Sequence, residues 1–303
     1  MINNKVILKA VQEQLGKDII MKDDILSITK LDLSKKSLTE VSDLRQFGNL
    51  ETLILTENCL VDLSPISELT SLKELRAGND PFLSDKEKAA RKGKNHFEDY
   101  SFLKKLTNLT HVCFTDTDID NIEFVRKLPN LLEFWAYSNP IKDISPLEYC
   151  RKLYKVYFFN CPITDISVCE RLPELCGIAI NCTGVSDLTP IKNHVDFTYL
   201  DAHDAKVFDL SPIKDMRKMI YLTLENNHIT DITPLLEMQE LKWLTLGANR
   251  GLSFDNIISV VPNLKGLVKL SFAGNEYVGI EYSDEQKKNL EEKLPLCEIK
   301  YTE

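Results

Sequence analysis

Apolar and polar residues recur along this chain with a period of 22 residues. The stretch 219–240, MIYLTLENNHITDITPLLEMQE, contains the whole unit: apolar residues that alternate with polar ones, an asparagine, and a D-I-T-P-L segment. The same frame fits 197–218 and 175–196. A fixed period of this length predicts a chain built by repeating one structural unit.

The frame extends over most of the chain. We define the anchor of each unit as its first apolar residue. Consecutive anchors are 22 residues apart, except that Leu72 to Leu109 carries 15 additional residues and Leu241 to Leu267 carries 4. An L-x-x-L-x-L-x-x-N core with a period of about 20–29 residues marks a leucine-rich repeat array. The anchors are Ile28, Leu50, Leu72, Leu109, Leu131, Leu153, Leu175, Phe197, Met219, Leu241 and Leu267.

Each part of the unit predicts a local structure. The alternation after the anchor predicts a short strand with one buried face, and stacked units would align these strands in a parallel sheet. The proline presets φ where the chain turns back. Because one unit cannot bury its apolar stripe alone, we predict an α/β leucine-rich repeat solenoid, or horseshoe, with the parallel sheet on its concave face.

An asparagine eight residues after the anchor can hydrogen-bond backbone groups where the chain leaves the strand. Thr117, Cys161 and Thr183 replace it in the middle of the chain, and Ala205 has no side-chain group that could do so. Asparagine holds this position at Asn58, Asn139, Asn227, Asn249 and Asn275.

Both ends of the array are predicted to carry caps, because a solenoid must cover its terminal apolar edges. The predicted organisation is a helical N-terminal cap at 1–27, about eleven repeats at 28–280, and a C-terminal cap at 281–303. The N-terminal cap contains a predicted helix near 4–15 and a second one at Lys22–Leu26.

The C-terminal cap begins with a capping box, Ser283 to Gln286. This pattern predicts a helix that ends at about Leu294, before Pro295. The segment CEIKY that follows predicts a last strand.

The 15 additional residues lie near 81–95, PFLSDKEKAARKGKN. Ser84 and Glu87 form a capping box and Gly93 can end a helix, so we predict a short helix at about Asp85–Lys92. Two interpretations stay open: a solvated surface helix, or a flap that gives an acidic partner a second contact site. The basic residues of the segment are Lys86, Lys88, Arg91, Lys92 and Lys94.

The unit resembles the internalin-type bacterial leucine-rich repeat, for example in LETLILTENCLVDLSPI and LLEFWAYSNPIKDISPL. The resemblance covers about Ile28 to Ile280 and extends to the helical N-terminal cap. It implies a curved, right-handed solenoid that binds protein on its concave face, often through exposed aromatic residues. A signal peptide, a wall-anchoring motif and an additional surface-binding domain are not recognised, so a cytoplasmic location is expected. The alternative is an exported internalin-like protein that binds a host surface protein, if a signal peptide preceded Met1.

Residues two, four and six positions after each anchor are predicted to point away from the core. Aromatic residues cluster at these positions: Trp135 with Tyr157, Tyr137 with Phe159, and a run of Tyr199, Tyr221 and Trp243. An apolar patch of this size favours a binding face, although the rings could instead stack as cross-strand pairs. The predicted partner-binding residues are Trp135, Tyr137, Tyr157, Phe159, Tyr199, Asp201, His203, Tyr221, Glu225 and Trp243.

The net charge is −9, from 37 basic and 46 acidic residues. An acidic chain is a poor candidate for binding the phosphate backbone, so we predict no nucleic-acid partner. The predicted partner is an unidentified protein, and the predicted oligomeric state is a monomer. The 8 cysteines include no C-x-x-C pair, which favours a reducing compartment over a disulfide framework. No apolar run is long enough to insert into a membrane.

Catalytic motifs are not apparent. His111 with Cys113, and His203 with Asp201 and Asp204, are the candidate chemical groups, but no third orienting group or Gly-rich phosphate loop accompanies them. Two ligands on one strand do not make a metal site. We therefore expect a protein that is not an enzyme and has no cofactor and no metal.

Overall fold

Each repeat contains a three-residue strand that begins two residues after its anchor. The computed structural model describes residues 1–91 and 93–302. It divides into two compact units, Met1–Leu153 and a second one that begins at Tyr154. Within each unit the neighbouring strands pair in parallel, and short 3₁₀ helices lie between them in sequence. This arrangement confirms the predicted leucine-rich repeat solenoid.

The first unit contains two N-terminal helices, five strands and the inserted helix. The predicted helix near 4–15 and the predicted one at Lys22–Leu26 are both present within one or two residues. Gly16 ends the first helix at φ 64°. The elements are α1 Lys5–Leu15, α2 Lys22–Ser27, β1 Lys30–Asp32, β2 Thr52–Ile54, β3 Glu74–Arg76, α3 Asp85–Ala90, β4 His111–Cys113 and β5 Glu133–Trp135.

The second unit continues the pattern and ends with the predicted helix and strand. The four additional residues after Leu241 accompany a short helix, α4, that the sequence analysis did not predict. The elements are β6 Lys155–Tyr157, β7 Gly177–Ala179, β8 Tyr199–Asp201, β9 Tyr221–Thr223, β10 Trp243–Thr245, α4 Phe254–Val260, β11 Lys269–Ser271, α5 Asp284–Lys293 and β12 Glu298–Lys300.

The core includes the residues at the anchor and three and five positions after it. In the repeat that starts at Met219, these are Met219, Leu222 and Leu224, and each is fully buried. Among residues 1–91 and 93–302, no helix has the length and apolar character required to cross a membrane.

In most repeats an aspartate two residues before the serine or threonine starts the 3₁₀ helix through a side-chain cap. Asp231 Oδ1 accepts a hydrogen bond from the Thr233 N–H at 2.9 Å, and the Thr233 hydroxyl donates to Oδ2 at 2.8 Å. Pro234 then occupies the first turn of the helix, where its missing N–H costs nothing. The same backbone contact forms at the pairs Asp62–Ser64, Asp143–Ser145, Asp165–Ser167, Asp187–Thr189 and Asp209–Ser211.

Where a repeat carries a buried asparagine, that side chain joins it to the preceding repeat. Asn227 Nδ2 donates to the carbonyls of Leu224 and Glu225 in its own repeat, at 3.0 and 3.1 Å, and to Ala202 in the preceding repeat at 2.8 Å. Its Oδ1 accepts from the Val207 N–H of the preceding repeat at 2.9 Å. Equivalent contacts form at Asn58, Asn139 and Asn249.

The repeat with the inserted helix obtains its asparagine from the far end of the insertion. Asn95 Nδ2 donates to the carbonyls of Leu55 and Ala77, at 2.9 and 3.0 Å, and its Oδ1 accepts from the Leu60 N–H at 3.0 Å. Asn95 therefore makes the same contacts in its repeat as Asn227 makes in its own. The insertion therefore spans 80–94, one residue earlier than the sequence analysis placed it.

The residue before the asparagine position adopts left-handed backbone geometry in nearly every repeat. Its φ lies between 51° and 58° in the non-glycine cases. This conformation turns the chain out of the strand and directs the side chain to the edge of the sheet. These turn residues are Lys35, Glu57, Asp116, Ser138, Asn160, Cys182, Asp204, Asn226, Ala248 and Gly274.

The substitution Asn227→Ala should lower the free energy of unfolding by about 2–4 kcal/mol, because buried carbonyls of two repeats lose their donor. Urea unfolding monitored by circular dichroism measures the change. The exposed Asn193 supplies the control, since Asn193→Ala should stay within about 0.5 kcal/mol of the parent. If both variants lost the same free energy of unfolding, Asn227 would not be the side chain that joins the two repeats.

Candidate functional site

A strip of aromatic rings crosses the strands of the second unit. Tyr199 and Tyr221 stack with ring centroids 5.1 Å apart, and Tyr221 contacts Trp243 at 5.5 Å. The strands align these three residues directly opposite one another. All three are half-buried, so part of each ring stays exposed. The predicted run of three is therefore a continuous strip, and the rings also stack as the alternative interpretation expected.

The strip extends further than the sequence analysis predicted, because it includes Tyr157. The Tyr157 ring lies 6.0 Å from that of Tyr199, although strand β7 separates their strands. The residues of β7 on this face are Gly177 and Ala179, which have little or no side chain. A Cβ on Gly177 would lie 3.3 Å from Tyr199 Cβ, so a larger residue would displace the neighbouring side chains. We name the residues Tyr157, Tyr199, Tyr221 and Trp243 the aromatic strip.

Phe159 and His203 also contact each other across the intervening repeat, at the position two residues after Tyr157 and four after Tyr199. Their ring centroids are 6.5 Å apart, across the strand segment that carries Asn181. Both rings are half-buried. Phe159 therefore contacts the polar residues beside the strip.

Asp201 is the centre of a hydrogen-bonded group at the edge of the strip. Its Oδ1 accepts from His203 Nδ1 at 2.7 Å and from the hydroxyl of Thr223. The Tyr199 hydroxyl lies 3.5 Å from Oδ2. The imidazole is thus fixed in orientation, with Nδ1 toward Asp201 and Nε2 toward the turn residues.

Carboxylates lie beside the middle of the strip, near Tyr221, whereas Lys269 contacts its Trp243 end. Burial raises the pKa of Tyr221 to about 12, and the charges of Asp201 and Glu225 act in the same direction. Burial alone would lower the pKa of His203, but hydrogen bonds to Asp201 and Cys182 outweigh it and raise the pKa to about 10. A cation is therefore favoured beside the aromatic strip.

Trp243 ends the strip in an enclosed environment. The ammonium group of Lys269 lies 4.2 Å from the centroid of its ring, a cation–π contact. Its indole Nε1 is buried and has no hydrogen-bond partner among the residues described.

No protein-family model and no curated protein matches the chain. Several solved structures do resemble it. An internalin, InlF, from Listeria monocytogenes superposes with a TM-score of 0.78 and 22% identity, over 99% of this chain and 90% of that chain. For internalin C2 of the same species the TM-score is 0.56 and the identity 24%, over 80% and 92%.

The chain has the internalin-type leucine-rich repeat fold. A similar arrangement occurs in the leucine-rich repeat ectodomain of the plant membrane receptor kinase GASSHO1/SCHENGEN3 from Arabidopsis thaliana. That structure has a TM-score of 0.60 and 21% identity, over 80% of this chain and 29% of that chain.

Two of the predicted site residues, Trp135 and Tyr137, belong to the first unit of this internalin-type fold. Trp135 stacks on His111, with ring centroids 6.1 Å apart, and the Arg76 guanidinium lies 5.9 Å from its centroid. Tyr137 meets Phe82, a residue of the insertion, edge to face at 6.4 Å. Their part in a binding face stays a prediction.

The inserted segment is attached to the internalin-type repeats of the first unit by ion pairs. Arg91 contacts Glu57 Oε1 at 3.3 Å and Asp116 Oδ2 at 2.9 Å, and its side chain is only 18% exposed. Lys94 contacts Asp116 and Asp118, each at 2.9 Å. Burial would lower the pKa of Lys94, but these hydrogen bonds raise it.

Two of the basic residues predicted as a contact site therefore bind acidic turn residues of the same unit. The capping box of Ser84 and Glu87 is present, and the helix ends at Ala90. Lys92, which the sequence analysis placed at the end of this helix, lies outside the described residues.

The variant Arg91→Gln should speed amide hydrogen exchange in α3 roughly tenfold, because losing charge-assisted hydrogen bonds of about 1.5 kcal/mol loosens the segment. Hydrogen–deuterium exchange with mass spectrometry measures the rate. Lys88→Gln removes an exposed charge of the same helix and should leave the rate unchanged. Indistinguishable exchange in the two variants would show that the ion pairs do not hold the segment.

Proposed function

We propose that the second unit is a non-enzymatic protein-binding module that holds its partner on the aromatic strip. The observation that carries this proposal is the continuity of four half-buried rings on the solvent face of a parallel sheet. Tyrosine and tryptophan combine a large apolar area with little conformational entropy to lose, and they are enriched among residues that dominate binding energy.

The partner should present an apolar segment together with a positive charge. Asp201, Asp204 and Glu225 lie beside the strip, and their charge attracts cationic groups. With a net charge of −9, the chain also disfavours the phosphate backbone of nucleic acids. The ectodomain of GASSHO1/SCHENGEN3 is described in complex with CASPARIAN STRIP INTEGRITY FACTOR 2, which is consistent with a proteinaceous partner here.

A cytoplasmic location stays part of the proposal, since 8 cysteines are more compatible with a reducing compartment. The alternative, an exported protein that binds a host surface protein, predicts the native protein in culture medium. Detection in the cell lysate alone would contradict that alternative.

The double variant Tyr221→Ala/Trp243→Ala should lose its partner and keep its fold. Each broken ring pair costs about 0.5–1.5 kcal/mol beyond the apolar area that the half-buried rings cover, so the loss should stay below the roughly 4–10 kcal/mol of two core Leu→Ala changes. Affinity capture from the lysate of the native organism, followed by mass spectrometry, compares the proteins retained by each bait. Thermal unfolding of the same baits separates lost binding from lost structure.

The matched control is Phe208→Ala/Leu236→Ala, which removes two exposed apolar residues of the same unit that are not part of the strip. A protein held by the parent and by this control, but not by the strip variant, supports the proposal. If all baits retain the same proteins, or if the strip variant loses stability like a core variant, the rings serve the fold alone.

A further inference from the structure

Three metal-binding side chains converge at the edge of the sheet in the second unit. The ligand atoms of Cys182, His203 and Asp204 all lie within 4.8 Å of one another. His203 Nε2 is 4.0 Å from Asp204 Oδ2. Ligand atoms around a tetrahedral Zn²⁺ are about 3.3–3.7 Å apart, as follows from bond lengths of about 2.0–2.3 Å. The exposed Asp204 side chain can close this difference by rotating.

The repeat geometry produces this convergence. Cys182 and Asp204 are equivalent turn residues of consecutive repeats, with φ of 54° and 52°. The left-handed turn directs both side chains to the same edge, and the backbone hydrogen bond from Cys182 N–H to His203 O, 2.9 Å, holds the two turns together. His203, the residue before Asp204, reaches the same point from the end of its strand.

The surroundings orient two of the three ligands as outer-shell partners do in metal sites. Asp201 accepts from His203 Nδ1 at 2.7 Å, so Nε2 is the nitrogen that faces a metal, which would displace the proton that Nε2 carries in the imidazolium form. Asn226 donates from Nδ2 to one oxygen of Asp204, so the other oxygen faces His203. The sequence analysis considered Asp201 as a ligand, whereas the structure gives it this supporting position.

A buried amide points to the same place. Asn181 is 5% exposed, and its Oδ1 has no hydrogen-bond partner within the described part of the chain. Its Nδ2 lies 3.2 Å from His203 Nε2. The two ends of an amide are distinguished only by their partners, so a half-turn would place the oxygen at Nε2. There the oxygen would accept from the Nε2 proton of the imidazolium, and a water on the bound metal would give it a partner once the metal has displaced that proton.

We propose that Cys182, His203 and Asp204 form a binding site for a divalent transition-metal ion of the zinc class. A thiolate, an imidazole and a carboxylate are the donor types that Zn²⁺ takes, and two negative ligands beside Asp201 compensate its charge. A Cys–His–Asp nucleophile would use Asp201 but would leave Asp204 without a role. The inference does not depend on the proposed partner.

Three protein ligands would leave a fourth position of a tetrahedral ion for water or an added ligand. Asp204 also lines a cavity of about 360 Å³, together with Glu225, Asn226, Gly274 and Tyr277. Of the three proposed ligands, Asp204 is the one that borders this cavity, so water or an added ligand would approach the site from the Asp204 side. Three protein ligands and one exchangeable position describe an open site rather than a closed structural one.

Titration of the reduced protein with Zn²⁺, in competition with a chromophoric chelator, should give one tight site per chain. Co²⁺ in place of Zn²⁺ should show a thiolate-to-metal charge-transfer band and the d–d bands of a tetrahedral site. Cys182→Ser and His203→Gln should each weaken binding by more than about 100-fold, and Asp201→Asn by about 10–100-fold, the usual effect of an outer-shell change.

Two of the variants are matched to residues already present in equivalent turns. Cys182→Ser introduces the residue found at Ser138, and a companion variant, Asp204→Asn, introduces the residue found at Asn160 and Asn226. Both should therefore fold, which circular dichroism verifies. Cys113→Ser is the control for binding at another half-buried thiol and should leave the affinity unchanged.

Loss of binding in the Cys182, His203 and Asp204 variants, with retention in Cys113→Ser, supports the site. Equal Zn²⁺ affinity in all variants, or no tight binding by the parent, overturns the inference. Because the titration contains no partner protein, its result is separate from that of the capture experiment on the aromatic strip.

Discussion

The hydrogen bonds of the buried asparagines join the repeats that carry them to the repeats before. A strand of three residues makes few backbone bonds, and the turn that follows leaves carbonyls and N–H groups inside the molecule. A buried polar group without a partner costs about 1–3 kcal/mol, so each turn needs a donor and an acceptor at the same point. One amide supplies both, as Asn227 does for the carbonyls of Leu224 and Ala202 and the N–H of Val207.

A left-handed residue precedes the asparagine position, and it is kept where Thr117, Cys161, Thr183 or Ala205 replaces the asparagine. This residue turns the chain out of the strand and projects its side chain at the edge of the sheet. The position is thus outside the alternation of the strand. In the first unit it supplies Glu57 and Asp116, which bind the insertion through Arg91. In the second unit it supplies Cys182 and Asp204.

These examples show how much the sequence could predict. The 22-residue period and the alternation of apolar and polar residues predicted the strands and their buried faces, because burial of every second residue is a local property. Helix start and stop residues predicted the caps. The role of Asn95 was missed, since its contacts with Leu55 and Ala77 are visible only once the insertion has closed into a loop. The contact of Tyr157 with Tyr199 was missed for a similar reason: it requires that Gly177 and Ala179 leave room between them.

Cys182 was missed as a partner of His203 and Asp204, because the residues of the exposed face were taken from positions two, four and six after the anchor. Cys182 is at the seventh position, where the strand alternation no longer describes the direction of the side chain. A left-handed turn that repeats every 22 residues could have been inferred from the asparagine, aspartate and glycine residues frequent at this position. That inference would have placed Cys182 beside Asp204, but not the imidazole of His203 between them, because its rotamer depends on Asp201.

Asp201 connects the aromatic strip with the proposed metal site. It accepts hydrogen bonds from Thr223 and His203, and the Tyr199 hydroxyl of the strip lies close to its second oxygen. A divalent ion on His203 would offset the negative field that favours a cationic partner, so metal and such a partner should weaken each other's binding. A partner that presents a carboxylate or an imidazole could instead fill the open coordination position, and the two would then bind cooperatively. Because coupling of this kind is reciprocal, the sign of the effect on metal affinity reports the chemistry of the partner group that reaches this edge.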